Sequence, residues 1–252
     1  MKKLMPIFLL LLSLTGMAQN DALFSRATEA YNEGDYQKAT EHYLRILENG
    51  EHSAELYFNL GNSYYKLNQI APSIYYYEKA LLLKPNDSEI ENNLRFAQNM
   101  TLDAIEELPE SSISKIYKSI TGFLSFEQWS YMAVGLVLLF VLAYIAFYFL
   151  RYATHKRIAF ITSMISMILA VLAVSLAYLQ YNDFKAEQPA IVFPEESIVK
   201  SEPNNRSQEA FKLHQGTKVY VLDQLNDWKK IALSDGKTGW IPSSDIKLLK
   251  DF

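Results

Sequence analysis

Cysteine is absent from the 252 residues. Without a thiol there is no disulfide framework, no thiolate metal site, no cysteine nucleophile and no site for lipoprotein acylation. Positive charge is not in excess: 24 Lys and Arg stand against 28 Asp and Glu, a formal net charge of −4, so no basic field draws nucleic acid. The four histidines, His42, His52, His155 and His214, are scattered over separate segments, and none falls in a metal-ligand spacing. Glu106 with Glu107, and Glu195 with Glu196, are adjacent pairs whose side chains point apart, as on a solvated face. Gly236, Lys237, Thr238 copies the end of a phosphate-binding loop, but Ile231 stands where that motif needs its other glycine. With no catalytic group, metal ligand set or cofactor site in view, the expectation is a protein that is not an enzyme.

Charge is also missing from two long apolar runs, 129–150 and 158–181. Each reaches the roughly 20 residues needed to cross a bilayer as a helix. The connector 151–157 is too short to recross, so the two spans form a hairpin. Its Arg151, Lys156 and Arg157, weighed against Lys115, Lys118 and Lys185 beyond the spans, place it in the cytoplasm by the positive-inside rule. Everything else then lies outside, with Trp129, Tyr131, Tyr178 and Tyr181 at the level of an outer aromatic belt. The alternative is two buried helices of a soluble core. With no intramembrane charge, the hairpin is ill suited to transport, proton relay or voltage sensing. The small residues Ala159, Ser163, Ser166, Ala170, Ala173 and Ala177 would let another helix approach, most simply the first span.

Lys2 and Lys3 precede the apolar run 4–14, and Gly16 and Ala18 supply small residues for cleavage before Gln19. Residues 1–18 thus read as a secretory signal peptide, with an uncleaved anchor as the alternative. From Asp21 a helical pattern repeats every 34 residues, setting Ala39 over Ser73 and Tyr43 over Tyr77. In the second copy Tyr57, Leu60, Gly61, Tyr64, Ser73, Tyr77, Ala80 and Pro85 occupy the signature spacing, and the segment resembles the tetratricopeptide repeat. The first copy supplies Ala27, Ala30, Ala39, Tyr43 and Ile46, with a turn at 32–36. A third helix capped near Asn86, Asp87 and Ser88 would close the array, giving a repeat domain over 19–107.

The resemblance implies a concave groove lined by the first helix of each pair. Here that face carries Phe58, Asn59, Asn62, Tyr65 and Lys66, then Asn93 and Phe96, with Phe24, Thr28, Tyr31 and Asn92 beside them. In peptide-binding repeats an asparagine at the place of Asn59 holds ligand backbone, its amide donating and accepting at once. The outer helices lack the Lys and Arg of a carboxylate clamp, so an extended, partly aromatic peptide or a helix suits the groove better. The same residues would equally serve to hold one repeat against the next.

Residues 108–128 form an amphipathic juxtamembrane segment, with Ile113, Ile116, Tyr117, Ile120, Phe123 and Leu124 opposite Lys115 and Lys118. It reads as a helix on the outer membrane surface or as a further core helix. After a linker at 182–188, five short β-like runs lie at 190–193, 197–200, 218–223, 228–233 and 238–241, with a turn at Asp235 and Gly236. Ending in Gly239, Trp240, Ile241, the stretch 189–252 resembles a bacterial SH3 domain. Such domains bind cell-wall or other peptides, which makes Tyr220, Trp228 and Trp240 contact candidates unless the small core consumes them.

The expected fold class is therefore a multi-domain membrane protein: an all-α tetratricopeptide-type repeat domain, a two-helix transmembrane hairpin and a small all-β SH3-like barrel. That order resembles the BatE proteins of the Bacteroides aerotolerance operon. The resemblance implies partners among membrane-anchored von Willebrand factor A proteins and a MoxR-type ATPase, with a role in oxygen or stress tolerance. The expected function is a non-enzymatic scaffold in the bacterial inner membrane with both modules periplasmic, needing no cofactor and binding no nucleic acid. The alternative is a cell-wall sensor or anchor that binds peptidoglycan.

Overall fold

The computed structural model describes residues 5–106, 108, 109 and 111–251, with side chains from Gln19 onward. The expected leader over 1–18 lies outside the residues whose side chains are described, and so does Glu107. The chain forms two compact units, one built from residues up to 108 together with 188 onward, the other from 109–187.

The first unit opens with five helices: α1 (Met5–Asn32), α2 (Tyr36–Glu48), α3 (Ala54–Lys66), α4 (Ile70–Leu83) and α5 (Ser88–Gln98). Short polar side chains start several of them. Asp35 accepts from the Lys38 amide, Ser53 from Leu56, and Asp87 from Glu89 and Ile90, each satisfying donors that the first turn leaves open. The helices pair α1 with α2 and α3 with α4, and α5 packs on α4. Their core holds the expected repeat residues, including Ala27, Ala39, Tyr43, Tyr57, Leu60, Tyr77 and Ala80.

Gly61 shows why the period needs a glycine there. A β-carbon at that position would lie 2.6–2.9 Å from three ring atoms of Tyr77, so only hydrogen lets the two helices pack over the ring. The Ser73 hydroxyl closes the crossing by donating to the Gly61 carbonyl at 2.9 Å.

The rest of this unit is one antiparallel sheet of seven strands: β1 (Pro189–Val192), β2 (Glu196–Lys200), β3 (Glu209–His214), β4 (Lys218–Leu225), β5 (Trp228–Ala232), β6 (Thr238–Pro242) and β7 (Ile246–Leu248), in the order β3-β2-β6-β5-β4-β1-β7. Sequence periodicity omits β3 and β7. The former, Glu-Ala-Phe-Lys-Leu-His, buries one side chain fully, and the latter has three residues, so neither shows a clean alternation. The core is aliphatic, comprising Ala190, Val192, Val199, Leu213, Val219, Ile231, Leu233, Ile241 and Ile246.

The second unit holds α6 (Ser112–Thr121), α7 (Phe126–Phe149) and α8 (Ala153–Ala186). Both α7 and α8 are long and apolar enough to cross a membrane. They pack on each other, with Ala159, Ser163, Ser166, Ala170, Ala173 and Ala177 buried along α8. Two expectations shift. His155, Lys156 and Arg157 lie in the first turns of α8, not in an open loop, and residues 182–186 extend α8 where a linker was expected. Asn182, Asp183 and Lys185 are polar yet not helix-breaking, so hydropathy ends the apolar run before the helix itself ends.

Candidate functional site

The repeat groove exists as a half-open hollow lined by Tyr31 of α1, Phe58, Asn62, Tyr65 and Lys66 of α3, Tyr77 of α4, and Glu89, Asn93 and Phe96 of α5. Six of the seven expected groove residues thus meet in one place. The seventh, Asn59, lines an adjoining hollow with Ala54, Glu55, Lys84 and Asp87, and Phe58 and Glu89 border both. Phe24 and Thr28 serve internal packing instead. Phe24 stands edge-on to Tyr43 with ring centres 5.4 Å apart, and the Thr28 hydroxyl lies 3.2 Å from the Tyr43 hydroxyl.

Part of the groove's polarity is spent inward. Asn62 Oδ1 accepts from the Tyr77 hydroxyl at 2.6 Å and from Asn93 Nδ2 at 3.0 Å, locking three helices together. Burial raises the Tyr77 pKa far above the usual phenol range, so that hydroxyl stays a donor. Asn62 and Asn93 are therefore groove-lining residues with a structural duty. Lys66, Glu89 and the exposed ring of Phe96 are left to meet a ligand.

The three aromatic candidates of the sheet share one face. Register places Trp228 opposite Pro242, Lys230 opposite Trp240 and Ala232 opposite Tyr220, and residues paired or two apart on a strand point the same way. Lys200 of β2 flanks Trp240 on its other side. All three rings are half-buried and absent from the aliphatic core, so this sheet domain does not need its tryptophans for its interior.

A third constellation was not legible in the sequence: the junction where the sheet docks on the helices. Tyr75 of α4 donates to Asp251 Oδ2 at 2.8 Å and to the Leu248 carbonyl at 3.2 Å, and its ring meets Phe193 edge-on. Lys79, buried one turn later, pairs with the Asp251 carboxylate and lies over the Tyr57 and Tyr75 rings. Burial, then the hydrogen bond to Asp251 and its charge, keep the Tyr75 phenol protonated well beyond its ordinary range. Glu78 accepts from Lys218 Nζ at 2.7 Å.

Beyond α5, Asp103 accepts from the His214 amide at 2.7 Å and from the Thr217 hydroxyl at 2.5 Å, with His214 Nδ1 2.7 Å away. Burial alone would raise the Asp103 pKa. The bonds from Thr217 and His214 outweigh it and hold the carboxyl below its usual value. Gly216, at φ +87°, lets the loop beside Thr217 reach α4: a β-carbon there would lie 2.9 Å from Ile74 and from Thr101. Ile191 of β1 and Leu249 complete the helical core itself. The two segments expected as separate modules are one packed body.

Among the described residues no group of three or more His, Asp or Glu side chains is placed to hold a metal ion. The tetratricopeptide repeat family model matches residues 54–87, which span α3 and α4, and the bacterial SH3 domain model matches residues 196–247, from β2 into β7. No curated protein matches the chain. The chain carries both domain types, each a known protein-binding or wall-binding kind.

Proposed function

We propose that this chain is a non-enzymatic, membrane-anchored scaffold that presents a repeat groove and an SH3-type sheet as one rigid body. The observation that carries this reading is the open hollow at Phe58, Tyr65, Lys66, Glu89 and Phe96, which among the described residues has no lining side chain from the sheet domain. Its mixture of exposed aromatic surface with one cation and one anion suits an extended, partly aromatic peptide or an amphipathic helix of another protein. The hairpin α7–α8 is the anchor. Because the segments before and after it pack together, they stand on one side of any membrane, which requires an even number of crossings. The charges Arg151, Lys156 and Arg157 between the spans favour a cytoplasmic connector, hence a periplasmic body in a bacterial inner membrane. The resemblance to BatE proteins points to a stress or oxygen-tolerance complex with von Willebrand factor A-type proteins and a MoxR-type ATPase system as partners.

Purification of the full chain from detergent extracts of its host tests the groove. The expected result is a co-purifying protein lost in the double variant Phe58→Ala, Phe96→Ala. Unchanged partners in that variant would remove the groove from the proposal. A second reading, peptidoglycan binding, is favoured by Tyr220, Trp228 and Trp240, half-buried rings that share one sheet face and lie outside the aliphatic core, since aromatic faces stack on ligand rings and chains. Sedimentation of the full chain with purified sacculi, abolished by Trp228→Ala with Trp240→Ala, is its expected sign, and a chain left wholly in the supernatant would discard it.

A further inference from the structure

Helix α6 has three distinct sides. At about 100° per residue, Tyr117 and Thr121 fall on one, Lys115 and Lys118 on a second, and Ile116 and Ile120 on a third, with Ile113 on the border of the first and third; Phe123 follows in the turn after the helix. The first side is docked on the hairpin. The Tyr117 hydroxyl donates to Asp183 Oδ2 at 2.6 Å, and the carbonyl of buried Thr121 accepts from Trp129 Nε1 at 3.1 Å. Leu124, just beyond the helix, packs with Trp129, Ala133 and Ala177. The third side and the turn that follows it are bare: Ile113, Ile116, Ile120 and Phe123 are 81%, 61%, 53% and 77% exposed.

We propose that this bare strip is a lipid-docking surface, with α6 lying in the bilayer interface beside the hairpin and the four side chains seated at the boundary of headgroups and acyl chains. The inference rests on the hairpin crossing the membrane. Its support is where α6 is tied. Trp129 opens the charge-free run of α7, and Asp183 follows the last residue of the charge-free run of α8, so both tethers stand where apolar surface gives way to water. A helix held at that level, with lysines on one side and isoleucines on another, has the amphipathic layout of interfacial helices, which sink about 5–10 Å into the boundary. A protein occupant fits less well. The strip offers roughly 400–500 Å² of apolar surface, short of the ~800 Å² per partner of a stable protein interface. Membrane seating scales with apolar area and needs no such minimum.

The absence of cysteine makes the test direct. Single cysteines placed in the full chain at Ile116, Ile120 or Phe123, at Lys115, and at Leu138 or Ile168 in the spans, would carry a nitroxide label. In phosphatidylcholine–phosphatidylglycerol vesicles, collision of each label with oxygen and with a water-soluble relaxer reports its depth. The expected result is an oxygen-to-water collision ratio severalfold higher at 116, 120 and 123 than at 115, and higher still at 138 and 168. Water-like values at 116, 120 and 123 with deep values at 138 and 168 would overturn the inference and leave the hairpin standing. Strip labels shielded from both reagents would overturn it in favour of a protein occupant. Water-like values at 138 and 168 would overturn the hairpin itself, and the inference with it.

Discussion

At Gly61 a single hydrogen decides how closely α3 and α4 approach, because the Tyr77 ring fills the space a methyl would take. Gly61→Ala forces that ring or the helix to move, and overpacking of this kind costs about 1–3 kcal/mol; thermal unfolding of the purified chain should show the lowered midpoint. Asp103 works over a longer reach, since its carboxylate gathers three contacts from the turn at His214 and Thr217. Asp103→Ala should cost about 2 kcal/mol, the range for hydrogen bonds to a charged group, and should speed amide exchange in β3 and β4 more than in α2. The same group sets an acid limit. A carboxyl whose folded pKa lies below its unfolded value contributes stability that is complete above the unfolded value, near 4, and is lost as pH falls through the lower folded value. Unfolding followed between about pH 5 and 2 should show Asp103→Asn converging on the parent protein at the acid end.

Among the elements, β1 has the most divided loyalty. Ala190 and Val192 lie in the sheet core, whereas Ile191 between them points into the helical core. Period-2 alternation in a strand normally sends one face to water, and here both faces are covered. Ile191→Ala should therefore cost about 3 kcal/mol, within the range for large-to-small changes in a packed interior, and helices and sheet should still unfold in one transition. Two separate transitions would show that the docking is weaker than the packing implies. The features legible in the sequence at this scale are those decided within one period: the capping turn around Asp87, the turn after Asn32, the stop at Pro85, and the aromatic positions Tyr43, Tyr57 and Tyr77. Strands β3 and β7 were not legible, because the contacts that recruit them come from β2 and β1 and not from their own patterns.

For the whole molecule, the groove could be read from the repeat period while the junction could not. Lys79 paired with Asp251, Glu78 with Lys218 and Asp103 with His214 are each separated by more than 100 residues. Taken singly, a lysine or aspartate on a polar stretch reads as a solvated charge, so nothing in local spacing marks it as a docking contact. The hairpin between the two segments hid the junction further by suggesting separate beads on a tether. Reporters inserted at Thr154 and at the C-terminus should stand on opposite faces of the membrane. Matching signals would remove the periplasmic assignment together with the positive-inside argument behind it.

Because Asp251 is a partner of both Lys79 and Tyr75, a carboxylate on the sheet side of the body balances an ammonium buried among the helices. Asp251→Ala takes that countercharge away while leaving every helical residue in place. The variant should be selectively sensitive to proteolysis in α3 and α4, more than 150 residues away along the chain. Damage at Asp251 is thus felt in the repeat helices.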